Sequence, residues 1–454
     1  MKYAKYLRRA ALASFTVARL FNTTPAVATR DADAPLPFKG HALVVLSDAD
    51  MVASAYVDGL LGPREGEDML SVIPLDGHPR DLRARHVPVS NSVAGPPVAV
   101  AVTPDHHYAI AVETFTQRPS DNRPDQRFRD LKNGRALTVV DISDPSKPRV
   151  VQRVAGLERP SSVSINSDGS LVAVALDPGG AGARTPLALY RFVHGRLAET
   201  PATPAIPGWN AGDALSHAEF HPSENMLALV NSTRDEMSFV HVEMRADEAS
   251  VTPYGNTVHV DKYPHMMRFT PDGRYAIANG LYWGTDVEGI KTEAPRGTVV
   301  SVRLNAGKAA DGSPRHALVS HARTGVSPEG LAISPDGTMV VTTNLERSYL
   351  PYDDPRQTFF SSVTLLRFDP QSGALTRAGD FPMDGILPES AAFDASGRSL
   401  AVLSFDHFDD RRKGGSVDFW RIARDPLDPS RTELVKTEHS IAVARGAHTM
   451  VLVR

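Results

Sequence analysis

YPHMMRFTPDGRYAIAN, residues 263–279, reads as an apolar strand, a four-residue turn and a second apolar strand. Thr-Pro-Asp-Gly at 270–273 is the punctuation: Pro fits the opening of a tight turn, Asp bonds its own backbone, and Gly accepts the backbone angles other residues resist. The same sentence recurs along the chain as PPVAVAVTPDHHYAIAV (96–112), RPSSVSINSDGSLVAVAL (159–176), LSHAEFHPSENMLALVN (215–231), SPEGLAISPDGTMVVTTN (327–344) and LPESAAFDASGRSLAVL (387–403). Taking Pro97, Pro160, Leu215, Pro264, Pro328, Pro388 and Ala447 as the openings, the steps are 63, 55, 49, 64, 60 and 59 residues. Self-similarity at tens of residues marks a repeat architecture, and each unit here contains strands without a helical pattern.

A second strand type sits between the copies, once per unit: MLSVIPL (69–75), ALTVVDI (136–142), LALYRFV (187–193), SFVHVEM (238–244), TVVSVRL (298–304), SVTLLRF (362–368) and SVDFWRI (416–422). A further run such as LVKTEHSIAVA (434–444) supplies a fourth strand. Four strands in each of seven units predict an all-β, seven-bladed β-propeller. The seventh unit is split: GAHTMVLVR (446–454) matches a first strand, and FKGHALVVLSDAD (38–50) a second. Pairing the C-terminal strand with the N-terminal strands would close the ring and remove two sheet edges.

Composition agrees. The 454 residues are 41% hydrophobic and 22% charged, with 33 Gly and 35 Pro for turns. Length alone would suggest about three domains of roughly 150 residues, but the repeat makes residues 38–454 a single propeller domain after a linker at 29–37. A net charge of -4 gives no basic footprint for nucleic acid. The absence of Cys excludes covalent haem, thiolate metal sites and a cysteine nucleophile. Residues 1–28 carry a basic start (MKYAKYLRR), a short apolar stretch (AALASFTVA) and AVA at 26–28, the order of a secretory signal peptide. That apolar stretch is about half the roughly 20 residues of a membrane span, so a periplasmic or secreted protein without a membrane span is expected.

The repeats TPDGRYAIAN, SPDGTMVVTTN and NSDGSLVAVAL resemble those of the YVTN-repeat and lactonase-like seven-bladed propellers, and LTVVDISDPSKPRVV (137–151) is similar to repeats of surface-exposed propellers without catalysis. The resemblance covers residues 38–454 and implies the fold. It also implies either a binding protein or an enzyme of the lactonase or isomerase kind that pairs His and Glu with arginine. The residues that carry it are turn and strand formers, so function has to be sought where the copies differ.

One step after the opening position, the copies read Val98, Ser161, Ser216, His265, Glu329, Glu389 and His448 in ring order. Four neighbouring blades thereby offer two imidazoles and two carboxylates at one level of the channel rim, with His217 one place further along. Glu329 and Glu389 are the candidate catalytic pair, since two close carboxylates split their pKa values into an acid and a base. His265, His448 and His217, with Arg159 and Arg445 just before the column, are the candidate ligand-binding residues. His265, Glu329, Glu389 and His448 would also supply nitrogen and oxygen ligands to a divalent metal.

Loops after the second strands swell on the same face, at 113–135, 281–297, 345–360 and 405–415, and mix aromatics with Arg and Asp. This predicts binding of a small polar ligand or a partner protein at the loop-rich face, with a small carbonyl or lactone substrate at the channel mouth as the enzymatic alternative. Asp353-Asp354 and Asp406 to Asp410 lack an ordered calcium-loop spacing. His106, His107 and His221 fall in turns on the opposite face and are expected to be solvated.

Overall fold

The repeating turn folds as its chemistry dictates. In blade four, Thr270 donates its hydroxyl to Asp272 Oδ1 (2.6 Å), Arg274 N–H donates to the same oxygen (3.1 Å), and Gly273 N–H donates to Thr270 O (2.8 Å). Ser334, Asp336, Thr338 and Gly337 repeat this set in blade five. Successive turns stack around the ring: a Cβ built on Gly337 would lie 3.4 Å from Pro271 Cδ of the preceding blade. His221 takes that place in blade three and departs from the sequence expectation. It is buried, 3.0 Å from Gly273 O and edge-on to Phe269, because the next blade's turn covers it.

These turns join strands into the antiparallel blades of a seven-bladed propeller, described by a computed structural model. It describes residues 36, 38–119, 123, 125–177, 186–245, 248–283, 293–409, 411–425, 427, 428 and 431–454. The signal peptide expected at 1–28, nearly all of the linker expected at 29–37 and Asp410 lie outside the described residues. Blade one comprises Val100–Val102, Tyr108–Val112, Ala136–Asp141 and Arg149–Ala155, counted from the channel outward. The others begin with Pro160–Ile165, Leu215–Phe220, Pro264–Phe269, Pro328–Ile333 and Ser390–Phe393. Blade seven closes the ring as expected: Ala447–Val453 pairs with Ala42–Ser47, in register from Ala42 opposite Val453 to Leu46 opposite Thr449, with a one-residue bulge before Ser47 opposite Ala447, and Met69–Pro74 and Arg85–Pro88 complete it.

Second strands such as Leu171–Leu176, Tyr275–Gly280 and Ser399–Ser404 are buried at every residue. Each blade packs on a neighbour through both faces, so these strands lack the polar alternation of a sheet with one wet face. The cores lie between consecutive blades, for example Leu229 and Val240 with Leu189, and Val402 and Trp420 with Val363.

The residue before the opening position is left-handed in several blades: Arg159 (φ 56°), Tyr263 (51°), Ser327 (51°), Leu387 (50°) and Gly446 (81°). At Gly446 the reason is a close approach, since a Cβ there would sit 1.5 Å from Asp48 O. Gly446→Ala should therefore cost about 2–4 kcal/mol from the left-handed penalty and overpacking together. A urea midpoint equal to that of the wild type would contradict this contact.

Candidate functional site: a capped carboxylate pair at the end of the channel

The column of compared positions is built by the first strands, whose opening residues converge on the channel axis. His265, Glu329 and Glu389 come together there, on neighbouring blades. His265 Nε2 lies 3.4 Å from Glu329 Oε1, and the imidazole is flanked by Tyr263 (centroids 6.3 Å apart) and Trp283 (6.1 Å). Asn279, the last residue of its repeat, accepts from Met266 N–H (2.9 Å) and donates to Glu329 O (2.8 Å), clasping blades four and five beside the pair. Glu389 is 1% exposed and neither carboxylate oxygen has a hydrogen-bond partner among the described residues. Burial, then the nearby charges of Glu329 and Asp48, push its pKa well above the ordinary carboxylate range.

The remaining column residues and arginines are committed elsewhere. His448 Nε2 is 2.8 Å from Asn91 Oδ1 and its Nδ1 is 3.0 Å from Thr449 Oγ1, and burial depresses its pKa to about 3. It is a neutral, internally bonded group, so the four-residue metal set does not converge. His217 Nδ1 accepts from Met267 N–H (3.2 Å) and its Nε2 lies 3.2 Å from Glu219, which pairs with Arg268. Arg159 pairs with Asp177 (3.0 Å) and stacks over Phe115 at 4.7 Å. Arg445 is buried, pairing with Glu65 (3.0 Å) and donating to Pro63 O (2.6 Å), so it pins a loop instead of facing the channel. Of the acidic stretches, Asp354 binds Arg356 and Asp409 binds Arg411.

That pinned loop, residues 48–68 between the second and third strands of blade seven, is the part the sequence reading missed. It carries the short helix Ala55–Asp58 across the rim. Met51, Ala55 and Leu61 pack with Val93, Leu345, Tyr349, Leu350, Leu387 and Phe405 into an apolar cap contributed by several loops. Tyr56 donates its hydroxyl to Val93 O (3.2 Å), and burial followed by Glu389, Glu329 and Asp48 raises its pKa further above the ordinary phenol value. The loop-rich mouth is thereby covered. The signal available in sequence was the length of this loop together with Asp-Ala-Asp at 48–50, hidden by the split of blade seven between the chain ends.

Below the cap runs a channel cavity of about 520 Å³, lined along the first strands from Val98 and Glu389 to Pro222, Pro271 and Arg454 near the opposite face. Its walls mix apolar residues such as Leu331 and Val163 with polar ones such as Ser164, Ser390 and Arg454, and Glu219 and Arg268 form a charged pair partway along. The arrangement places a protonatable carboxyl at one end of a passage of mixed polar and apolar lining.

Asp48, Asp50 and Asp68 cluster beside the cap, with one ligand-type oxygen from each within 4.8 Å of the others. Burial, then Asp50, pushes the Asp48 carboxyl up to about 7. Cations of the chain surround it: Arg64 lies 3.5 Å from the Asp50 carboxylate, while Arg118 and Arg445 donate to neighbouring backbone carbonyls, Asp50 O (2.8 Å) and Ala49 O (3.4 Å). This is an ionic knot that fastens the 48–68 loop to blades one and seven.

No family model matches the sequence, and neither does any curated protein. Solved structures do match the fold. A periplasmic gluconolactonase from Pseudomonas aeruginosa is 16% identical with a TM-score of 0.57, covering 91% of this chain and 99% of that one. A Bacteroides fragilis protein for which 6-phosphogluconolactonase activity has been proposed is 15% identical with a TM-score of 0.56, covering 91% and 98%. A protein of unknown function from Desulfotomaculum acetoxidans is 13% identical with a TM-score of 0.58, covering 91% and 99%. At these identities the likeness is one of fold.

Proposed function

We propose that this protein is a small-molecule enzyme that opens a lactone, or a closely related cyclic carbonyl compound, at Glu329 and Glu389. The observation that carries this reading is Glu389 itself. A carboxyl with neither oxygen bonded among the described residues, 1% exposed at the end of a channel, is costly to a fold and supplies no packing that Leu would not. Its raised pKa favours the protonated form, the state a general acid needs. In the proposed reaction the carboxylate of Glu329 takes a proton from water, the water oxygen bonds the lactone carbonyl carbon, and the ring C–O bond breaks as Glu389 gives its proton to the departing oxygen. His265, 3.4 Å from Glu329, orients that carboxylate. Two of the structural neighbours carry lactonase names, in keeping with this chemistry.

Substrate enters from the face of the short turns, since the apolar cap covers the other end. Release into the periplasm or outside the cell fits the basic, apolar and Ala-Val-Ala order of residues 1–28. Among the described residues no helix is long and apolar enough to cross a membrane.

The decisive experiment is a panel of aldonolactones and simple five- and six-membered lactones, followed by acid release. Hydrolysis of at least one substrate above the uncatalysed rate is expected, and its absence across the panel would sink the reading. A second reading, docking of a partner protein on the loop-rich face, draws on Tyr352 (77% exposed) and Phe359 (48%), which meet edge to face at 5.0 Å, with Phe408 5.9 Å from Phe359. Replacing Tyr352 and Phe359 by Ser would then abolish partner capture while leaving lactone turnover intact.

A further inference from the structure

Blade six carries a second recess, on its outer strands at the loop-rich face and remote from the channel axis. It has a volume of about 560 Å³, within the roughly 300–1,000 Å³ typical of small-molecule sites. The loop after the second strand supplies His407, Arg412 and Lys413, the third strand Ser416 and Asp418, and the outer strand Lys436.

Its polar atoms are under-satisfied in an unusual concentration. Asp418 is fully buried, yet neither of its oxygens has a hydrogen-bond partner among the described residues. Its cationic neighbours stand at ion-pair distance only, Lys436 Nζ at 3.5 Å and Arg412 at 3.8 Å. Ser416 Oγ (residue 1% exposed) and His407 Nδ1 (8%) are also without a partner there. Four orphaned polar atoms around one cavity is far from the native norm, in which buried polar groups are bonded.

We propose that this recess binds a neutral polyhydroxylated molecule, a sugar, whose hydroxyls bridge Asp418, Ser416 and His407. The wall selects that chemistry. Arg412 and Lys436 are balanced by Asp418 and by Asp384, which accepts from Lys436 Nζ at 2.6 Å and lies 3.5 Å from Arg412. With Lys413 set against Glu438 in the same wall, three cations face three carboxylates, which leaves little net charge to attract a free anion or a metal ion. Burial, then Arg412, lowers the His407 pKa, so its ring is neutral at pH 7 and offers one donor and one acceptor. A hydroxyl is both donor and acceptor, so a run of them can donate to Asp418 while accepting from Ser416 or Lys413. A carboxylate or phosphate would meet Asp418 with repulsion.

Isothermal titration calorimetry of the full chain with glucose and maltose, with inorganic phosphate and gluconate as the anionic comparison, tests this. Saturable binding of a neutral sugar is expected, weakened about tenfold or more by Asp418→Asn, the factor for losing one hydrogen bond to a charged group. Ser416→Ala should weaken it too and decides the matter if Asp418→Asn does not fold. Glu389→Gln, which alters the channel, should leave sugar affinity unchanged. The proposal is overturned if no neutral sugar binds, if only phosphate or gluconate binds, or if Ser416→Ala binds as tightly as the wild type. Loss of binding in Glu389→Gln with full affinity in Asp418→Asn would likewise overturn it, by placing the sugar in the channel.

Discussion

Deleting residues 450–454 should remove the cooperative fold at 37 °C, an effect far larger than terminal deletions of similar length usually have. Those residues form most of the strand that pairs with Ala42–Ser47, and without them blade seven loses its innermost strand and the ring its closure. Met450 (4% exposed) and Val453 (1%) sit in the cores that join blade seven to its neighbours. Burial of side chains of this size is worth about 1.5–3 kcal/mol each. The backbone groups of Ala42–Ser47 would lose their ladder as well, leaving an open edge that can pair with other chains. Size-exclusion chromatography should therefore show aggregates, and calorimetry no sharp transition near the wild-type temperature. A monomeric deletion variant melting with the intact protein would refute closure as the source of stability.

Glu389→Gln should abolish most lactone turnover and remove part of the pH dependence of stability. General acid catalysis contributes about 10²–10⁴-fold, and Gln cannot give up a proton, so kcat should fall by that factor with KM little changed. The stability effect follows from linkage. The folded-state pKa of Glu389 is raised, so its contribution is fully present below the unfolded value of about 4.3 and is lost as pH rises toward and through the folded value. Each pH unit in which the carboxyl is protonated in the fold but ionised in the unfolded chain costs about 1.4 kcal/mol of stability. Wild type and variant should melt together at pH 4 and diverge as pH rises, with the variant the more stable at pH 8. A residual slope of the same sign should persist in Glu389→Gln, because Asp48 and Asp68 are also raised, by burial first and then by their acidic neighbours. Parallel melting curves at every pH would mean that Glu389 is not held protonated by the fold.

Both results depend on features of very different legibility. The propeller was readable because turn chemistry and strand periodicity are local, and seven noisy copies average into one clear pattern. The same register carried part of the site: positions after the opening residue are equivalent in every blade, so His265, Glu329 and Glu389 meet at the axis without any contact being visible in sequence. His448 occupies the same column but is captured by Asn91, a residue outside any repeat copy. Arg159 and Arg445 precede the column in sequence, yet in the fold they pair with Asp177 and Glu65.

Blade count, ring closure and the asymmetric column are legible from the chain alone, since each follows from spacing and from residues close together along it. Which end of the channel is open follows only from the packing of distant loops. The cap joins residues from 51 to 405, and the ionic knot beneath it joins Asp48, Asp68, Arg118 and Arg445. The blade-six recess likewise gathers Asp384, His407, Asp418 and Lys436 from separate strands and loops. Such groupings are set by how loops of unequal length pack on one another. That packing is a matter of long-range burial and charge pairing, which no local pattern encodes.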